Sequence, residues 1–234
     1  MNNVNVGRHI SGQFNEDLER VINLVMQMGG LVSKQLTDAL TSVSEGDEEL
    51  AQYVLSHDYQ VNNLEVTIDD ECTRIIAKRQ PAAGDLRLIM AIIKTIADLE
   101  RIGDEAQKIA QVTLESFTSK HKEFLLSLDN LGRHVLESLQ VTLDAFTRMD
   151  FEAAQSAHGR DSKIDREYEA LMRQLMTYMM EDSRSIPQIM SVIWSARALE
   201  RIGDRCQNIC EYIIYFVKGK SVRHTTAEEI KKLS

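Results

Sequence analysis

Proline is nearly missing: Pro81 and Pro187 are the only two in 234 residues. A proline inside a helix removes a backbone hydrogen bond and clashes with the preceding turn, so a chain that avoids it leaves room for long helices. A basic excess is missing as well. The 36 Asp and Glu stand against 27 Lys and Arg, so no surplus of cations exists to neutralise phosphates, and nucleic acid is not the default partner. Long apolar runs are absent. The best, LIMAII at 88–93, is cut by Lys94 and falls far short of a bilayer span. The opening residues, MNNVNVGRHISGQF, carry no apolar stretch of the kind a secretory signal needs. Cysteine is scarce and odd in number: Cys72, Cys206 and Cys210 form no zinc-type pair of pairs. They read as reduced thiols packed in a core, and point to a reducing cytoplasm. Period-two alternation is missing, so no strand is expected. There is no P-loop, nucleophile elbow or dinucleotide glycine fingerprint. No histidine follows a Glu by three residues, the spacing that di-iron helix bundles use.

What the chain does have is apolar residues at three- and four-residue spacing almost throughout. The pattern predicts an all-α fold of six long helices, roughly 14–44, 48–79, 85–118, 123–148, 151–181 and 186–217. The breaks fall at Glu45–Asp47, Gln80–Gly84, Ser119–Lys122, Met149–Asp150 and Asp182–Ser185. Short connections between long helices favour antiparallel neighbours. The segment after Lys218, KSVRHTTAEEIKKLS, is polar and is expected to be loosely held.

The six helices form a repeat. The hexapeptide LERIGD occurs at Leu99–Asp104 and again at Leu199–Asp204, each followed by a matching Gln and Ile. Upstream, DYQVNNLE from Asp58 lies over DSKIDREY from Asp161. The offset is 103 residues there and 100 at LERIGD. The reading is two tandem three-helix bundles related by duplication, 1–118 and 119–218, with a tail at 219–234. A single six-helix bundle is the alternative.

LERIGD makes two choices that a helix does not favour. Glu100 and Asp104 are one turn apart beside the apolar seam of Leu99, Ile102, Ala106 and Ile109, where like charges repel and lose hydration. Gly103 between them costs about 1 kcal/mol relative to Ala in a helix interior. The same choices recur at Glu200, Gly203 and Asp204. A bound cation would compensate them. Paired carboxylates are hard oxygen ligands suited to Mg²⁺, Ca²⁺, Mn²⁺ or iron, and glycine would let an ion or a neighbouring helix come close. A solvated acidic face neutralised by Arg101 or Arg201 is the plainer reading.

A metal site needs ligands from a second helix, and hairpin symmetry proposes them. Asp58 pairs with Asp104, and Asn62 with Glu100, about the turn at residue 81. Asp161 pairs with Asp204, and Asp165 with Glu200, about the turn between 182 and 183. The second half thus offers four carboxylates. The first has Asn62 in place of Asp165 and is expected to bind cations more weakly. Glu65 and Asp69 form a competing pair, but they match the turn less well. A carboxylate-bridged metalloenzyme and a purely structural bundle remain alternatives.

These segments together resemble the PhoU family of phosphate-specific transport accessory proteins. The resemblance runs from about residue 8 to 224. It is carried by MGG at 28–30, CTRIIAKRQPAAGDLR at 72–87, both LERIGD copies, YMMED at 178–182 and ICEYIIYFVKG at 209–219. The resemblance implies two three-helix bundles and metal clusters on acidic ExxxD-type motifs. These carry over onto Glu100/Asp104, Glu200/Asp204, Asp161/Asp165 and Asp58; Asn62 departs from the pattern. The metal is open among iron, zinc, manganese, magnesium and calcium. The resemblance also implies a cytoplasmic homodimer that is not an enzyme. It would be a negative regulator of phosphate uptake and of the phosphate-starvation response. Its partners would be the nucleotide-binding subunit of the phosphate ABC transporter and a sensor histidine kinase.

Overall fold

The computed structural model describes residues 12–115, 122–223, 225, 229, 230 and 232. All of its long elements are helices. They are α1 (Gly12–Glu45), α2 (Glu48–His57), α3 (Tyr59–Arg79), α4 (Ala83–Leu114), α5 (Lys122–Arg148), α6 (Phe151–His158), α7 (Asp161–Glu181) and α8 (Ile186–Lys218), with a 3₁₀ turn at Ser183–Ser185. The fold is all-α, as the periodicity predicts. Two of the six predicted rods are interrupted: α2 and α3 share the second, and α6 and α7 share the fifth. At the first interruption the Asp58 carbonyl accepts from the amides of both Val61, at 2.9 Å, and Asn62, at 3.3 Å. At the second, the Arg160 carbonyl accepts from Lys163 at 2.9 Å and from Ile164 at 3.5 Å. Each is a local tightening of the helical hydrogen bonds, beside Asp58 and Asp161 respectively. The break expected at Ser119–Lys122 lies almost wholly outside the described residues.

The duplication is visible in the caps. Asp47 accepts from the Leu50 amide at 2.9 Å and starts α2. Asp150, its counterpart, accepts from the Ala153 amide at 3.0 Å and starts α6.

One apolar cluster runs through both halves, from Phe14 and Val25 on α1 to Ile209 and Ile213 on α8. Among the described residues the most extensive helix pairing is α4 with α8, and α1 also packs on α5. The α4–α8 pairing is antiparallel. Asp98 on α4 accepts from the Tyr212 hydroxyl at 2.8 Å and from Arg205 at 3.5 Å, while Glu105 further along α4 meets Arg201 at 3.3 Å. The α1–α5 pairing is reciprocal. A Cβ on Gly29 would meet Leu143 at 2.6 Å, and one on Gly132 would meet Leu40 at 2.5 Å. Gly132 and Leu143 are the repeat counterparts of Gly29 and Leu40. The two halves therefore pack about an approximate two-fold axis.

The three cysteines are buried and unbridged. Burial raises the thiol of Cys72 to about 12 and that of Cys210 to about 12, so both stay protonated in the core. The tail departs from expectation. Val222 and Ile230 are buried, and Gln155 on α6 donates to the Ile230 carbonyl at 3.0 Å. Two isolated apolar residues suffice to seat part of a polar segment against α6. No helix among the described residues is long and apolar enough to cross a membrane.

Candidate metal centre

The hairpin α7–α8 brings Asp161, Asp165, Glu200 and Asp204 within electrostatic reach of one another. Asp161 is buried at the start of α7. Its Oδ1 lies 3.2 Å from where a Cβ on Gly203 would sit, so the glycine in LERIGD is what admits the carboxylate against α8. Burial raises the Asp161 pKa to about 7, and Asp165, Asp204 and Glu200 push it the same way, while His158 opposes them. Burial also raises Glu200, reinforced by Asp204 and Asp165; it raises Asp204, reinforced by Asp165. Arg197 offsets part of this, donating to Glu200 at 2.9 Å.

The first half builds the counterpart from α3 and α4. Asp58 is buried, and its Oδ1 is 3.3 Å from the Cβ position of Gly103. Burial raises Glu100, with Asp104, Glu65 and Asp58 adding to it. Burial raises Asp104 as well, with Asp58 adding. Asp58 lies within electrostatic reach of Glu100 and Asp104, as Asp161 and Asp165 do of Glu200 and Asp204, while Asn62 donates to Asp58.

The two centres differ in how they treat the buried aspartate. Asp58 receives Gln35 Nε2 at 2.8 Å on one oxygen and Asn62 Nδ2 at 2.9 Å on the other. In the second half the counterparts of Gln35 and Asn62 are Ser138 and Asp165, and neither donates to Asp161. Asp161 Oδ1 is buried with no hydrogen-bond partner, and so is Glu200 Oε2. A buried carboxylate oxygen without a donor is costly. Two such oxygens in one acidic cluster are the chemistry that a cation completes. In the first half Gln35 Oε1 is the orphaned buried atom, 3.1 Å from the Gly103 Cβ position.

Glu65 is the residue that sequence symmetry set aside. Burial raises its pKa, with Asp69 and Asp104 adding to the shift, and it in turn raises Glu100. It lies within electrostatic reach of the first centre. Its counterpart is Tyr168, whose ring lies 6.0 Å from the Arg197 guanidinium. With Glu65, four carboxylates lie within electrostatic reach of one another in the first half, as four do in the second. Among the described residues no three acidic, imidazole or thiol groups form a ready metal cage. The carboxylates sit near one another without converging, as mutually repelling charges do.

The chain has known relatives. A model of the PhoU domain matches residues 25–113 and again 128–213. The phosphate-specific transport system accessory protein PhoU of Serratia marcescens is 56% identical over 100% of this chain and 96% of its own length. That of Escherichia coli K12 is 54% identical over 100% of this chain and 97% of its own. The crystal structure of PhoU from Pseudomonas aeruginosa superposes with a TM-score of 0.83 at 46% identity, covering 89% of this chain and 100% of that one. The phosphate transport system regulatory protein PhoU of Streptococcus pneumoniae gives 0.82 at 29% identity, covering 90% and 99%. With both repeats matched and relatives aligned over its whole length, the chain belongs to the PhoU family, a family of accessory proteins rather than of enzymes.

Proposed function

We propose that this chain is a cytoplasmic, homodimeric adaptor that restrains phosphate uptake and the phosphate-starvation response. It would link the nucleotide-binding subunit of a phosphate ABC transporter to a sensor histidine kinase, without catalysing a reaction of its own. The observation that carries this reading is the full-length match to relatives named as accessory proteins of the phosphate-specific transport system.

Metal cations belong to the same reading. Asp161, Asp165, Glu200 and Asp204 would hold one centre, and Asp58, Glu65, Glu100 and Asp104, with Asn62, the other. A divalent cation bound there supplies positive charge and oxygen-ligand bonds to groups that otherwise repel. The chain's own part is to keep those groups in place: Gly103 and Gly203 admit Asp58 and Asp161, and Arg197 holds Glu200. The orphaned oxygens of Asp161 and Glu200 support the second centre most directly.

The test is genetic and biochemical. A strain lacking the chain should express phosphate-starvation genes at high phosphate, and this chain should restore repression. It should also retain the transporter's nucleotide-binding subunit and the kinase in a pull-down. Normal repression in the deletion strain would refute the proposal.

A further inference from the structure

The second half has a polar cavity of about 420 Å³ beside α6 and α8, lined by His158, Gln207, Asn208, Glu211, Arg223 and Thr225. His158 is 6% exposed, and its Nε2 stands 3.7 Å from Oε1 of Glu211, whose side chain is 12% exposed. That gap is too long for a hydrogen bond. It is close to the spacing of two ligands on one ion: bonds of about 2.0–2.2 Å at a tetrahedral angle separate donor atoms by about 3.4 Å. Neither atom has a nearer hydrogen-bond partner among the described residues.

The repeat supplies the contrast. The corresponding positions of the first half, Leu55, Gln107, Lys108 and Gln111, line part of a larger groove that also takes in Asp104, Glu105 and Arg201. Gln107 is kept as Gln207. Leu55 becomes His158, and Gln111 becomes Glu211. An apolar and a neutral residue are thus exchanged together for an imidazole and a carboxylate that face each other beside open space.

We propose that His158 Nε2 and Glu211 Oε1 bind a borderline divalent transition-metal ion of the zinc class. Amide oxygens of Gln207 or Asn208, and water, complete its shell. No third carboxylate, imidazole or thiol joins the pair among the described residues, so the site has two strong anchors. An imidazole ligand selects zinc-like ions over magnesium, calcium or manganese, which suit all-oxygen centres. Glu211 stands two turns beyond Asp204 on α8, about 10 Å along its axis. The carboxylate end of the site is therefore distinct from the acidic centre, while its imidazole end lies within electrostatic reach of Asp161.

The first half names the test substitutions, because Leu and Gln already pack at those positions. Chelator-stripped full-length protein is dialysed against zinc with and without millimolar magnesium. One zinc per chain that magnesium does not displace is expected. His158→Leu and Glu211→Gln should each weaken it by about tenfold or more, whereas Glu169→Gln, at an exposed carboxylate of α7, should leave it unchanged. X-ray absorption on the zinc-loaded protein should show one imidazole nitrogen at about 2.0 Å. Zinc uptake unaltered in both His158→Leu and Glu211→Gln overturns the proposal. So does no magnesium-resistant uptake by the unsubstituted protein, or uptake abolished equally by Glu169→Gln. If circular dichroism shows His158→Leu unfolded, Glu211→Gln and the absorption spectrum decide.

Discussion

Leu143 straddles Gly29: both of its terminal methyl carbons lie within 3.2 Å of the point where a Cβ on that glycine would sit. Gly30, the next residue, has nothing within 4 Å of the same point. Adjacent glycines in one helix thus have opposite roles. Gly29→Ala forces Leu143 aside in a packed interface and should cost about 1–3 kcal/mol. Gly30→Ala should stabilise by up to about 1 kcal/mol through helix propensity alone. Urea denaturation of the two variants checks the pair, and equal shifts would contradict the packing.

Metal-free protein should lose stability as pH rises from about 4 to 7. The folded Asp161 carboxyl titrates at about 7, against 3.8 as the ordinary value. Between those limits the folded chain holds a proton that the unfolded chain releases. Stability from this group is complete below the lower value and is lost as pH passes the upper one, a loss of a few kcal/mol at most. Melting temperatures in chelator across this range should show the decline, and Asp161→Asn should flatten it.

Divalent cations should reverse that loss. At pH 7.5 or so, saturating manganese or magnesium should raise the melting temperature; a ligand at one hundred times its Kd contributes about 2.7 kcal/mol. Glu200→Gln combined with Asp204→Asn should abolish the second centre's share. A response of the same size in that double variant would exclude those two carboxylates as ligands.

Gly203→Ala should separate metal binding from folding. The new methyl would stand 3.2 Å from Asp161 Oδ1 and 3.3 Å from Ile164. Those neighbours would have to yield a few tenths of an ångström, while the helix gains about 1 kcal/mol in propensity. The metal-free melting temperature should hardly change. Cation affinity, followed by calorimetry, should fall as Asp161 is displaced.

Tyr212 secures the two halves to each other. Its hydroxyl donates to Asp98, a carboxylate that is 1% exposed. Tyr212→Phe removes a donor from a buried charge and should cost about 1–3 kcal/mol. Guanidinium denaturation measures it, and a loss below the experimental error would show that Arg205 and Arg101 satisfy Asp98 without the hydroxyl.

The six rods were legible because their punctuation is chemical: Gln80–Gly84 and Asp182–Ser185 break the apolar period where the chain turns. The interruptions beside Asp58 and Asp161 were not. Asp58 keeps helical dihedrals, and only the hydrogen-bond pattern changes. The coupling of Glu65 to Glu100 and Asp104 is not visible in hairpin symmetry, which treats the second helix as one straight rod. The interruption at Asp58 breaks that assumption. The donors that distinguish the two aspartates were hidden for another reason. Gln35 belongs to α1, and nothing in its local sequence ties it to α3. The seating of Val222 and Ile230 depends likewise on a groove formed elsewhere in the chain.

The approximate two-fold axis between the halves has an evolutionary consequence. Two identical half-length chains would have to copy every substitution into both acidic centres. Fused in tandem, the halves are free to diverge. Asn62 can answer Asp165, Glu65 can answer Tyr168, and Leu55 can answer His158, while the shared core still demands that Gly29 and Gly132 stay small. The chain is in effect a heterodimer encoded once, with interchangeable scaffolding and two separately adjustable sites.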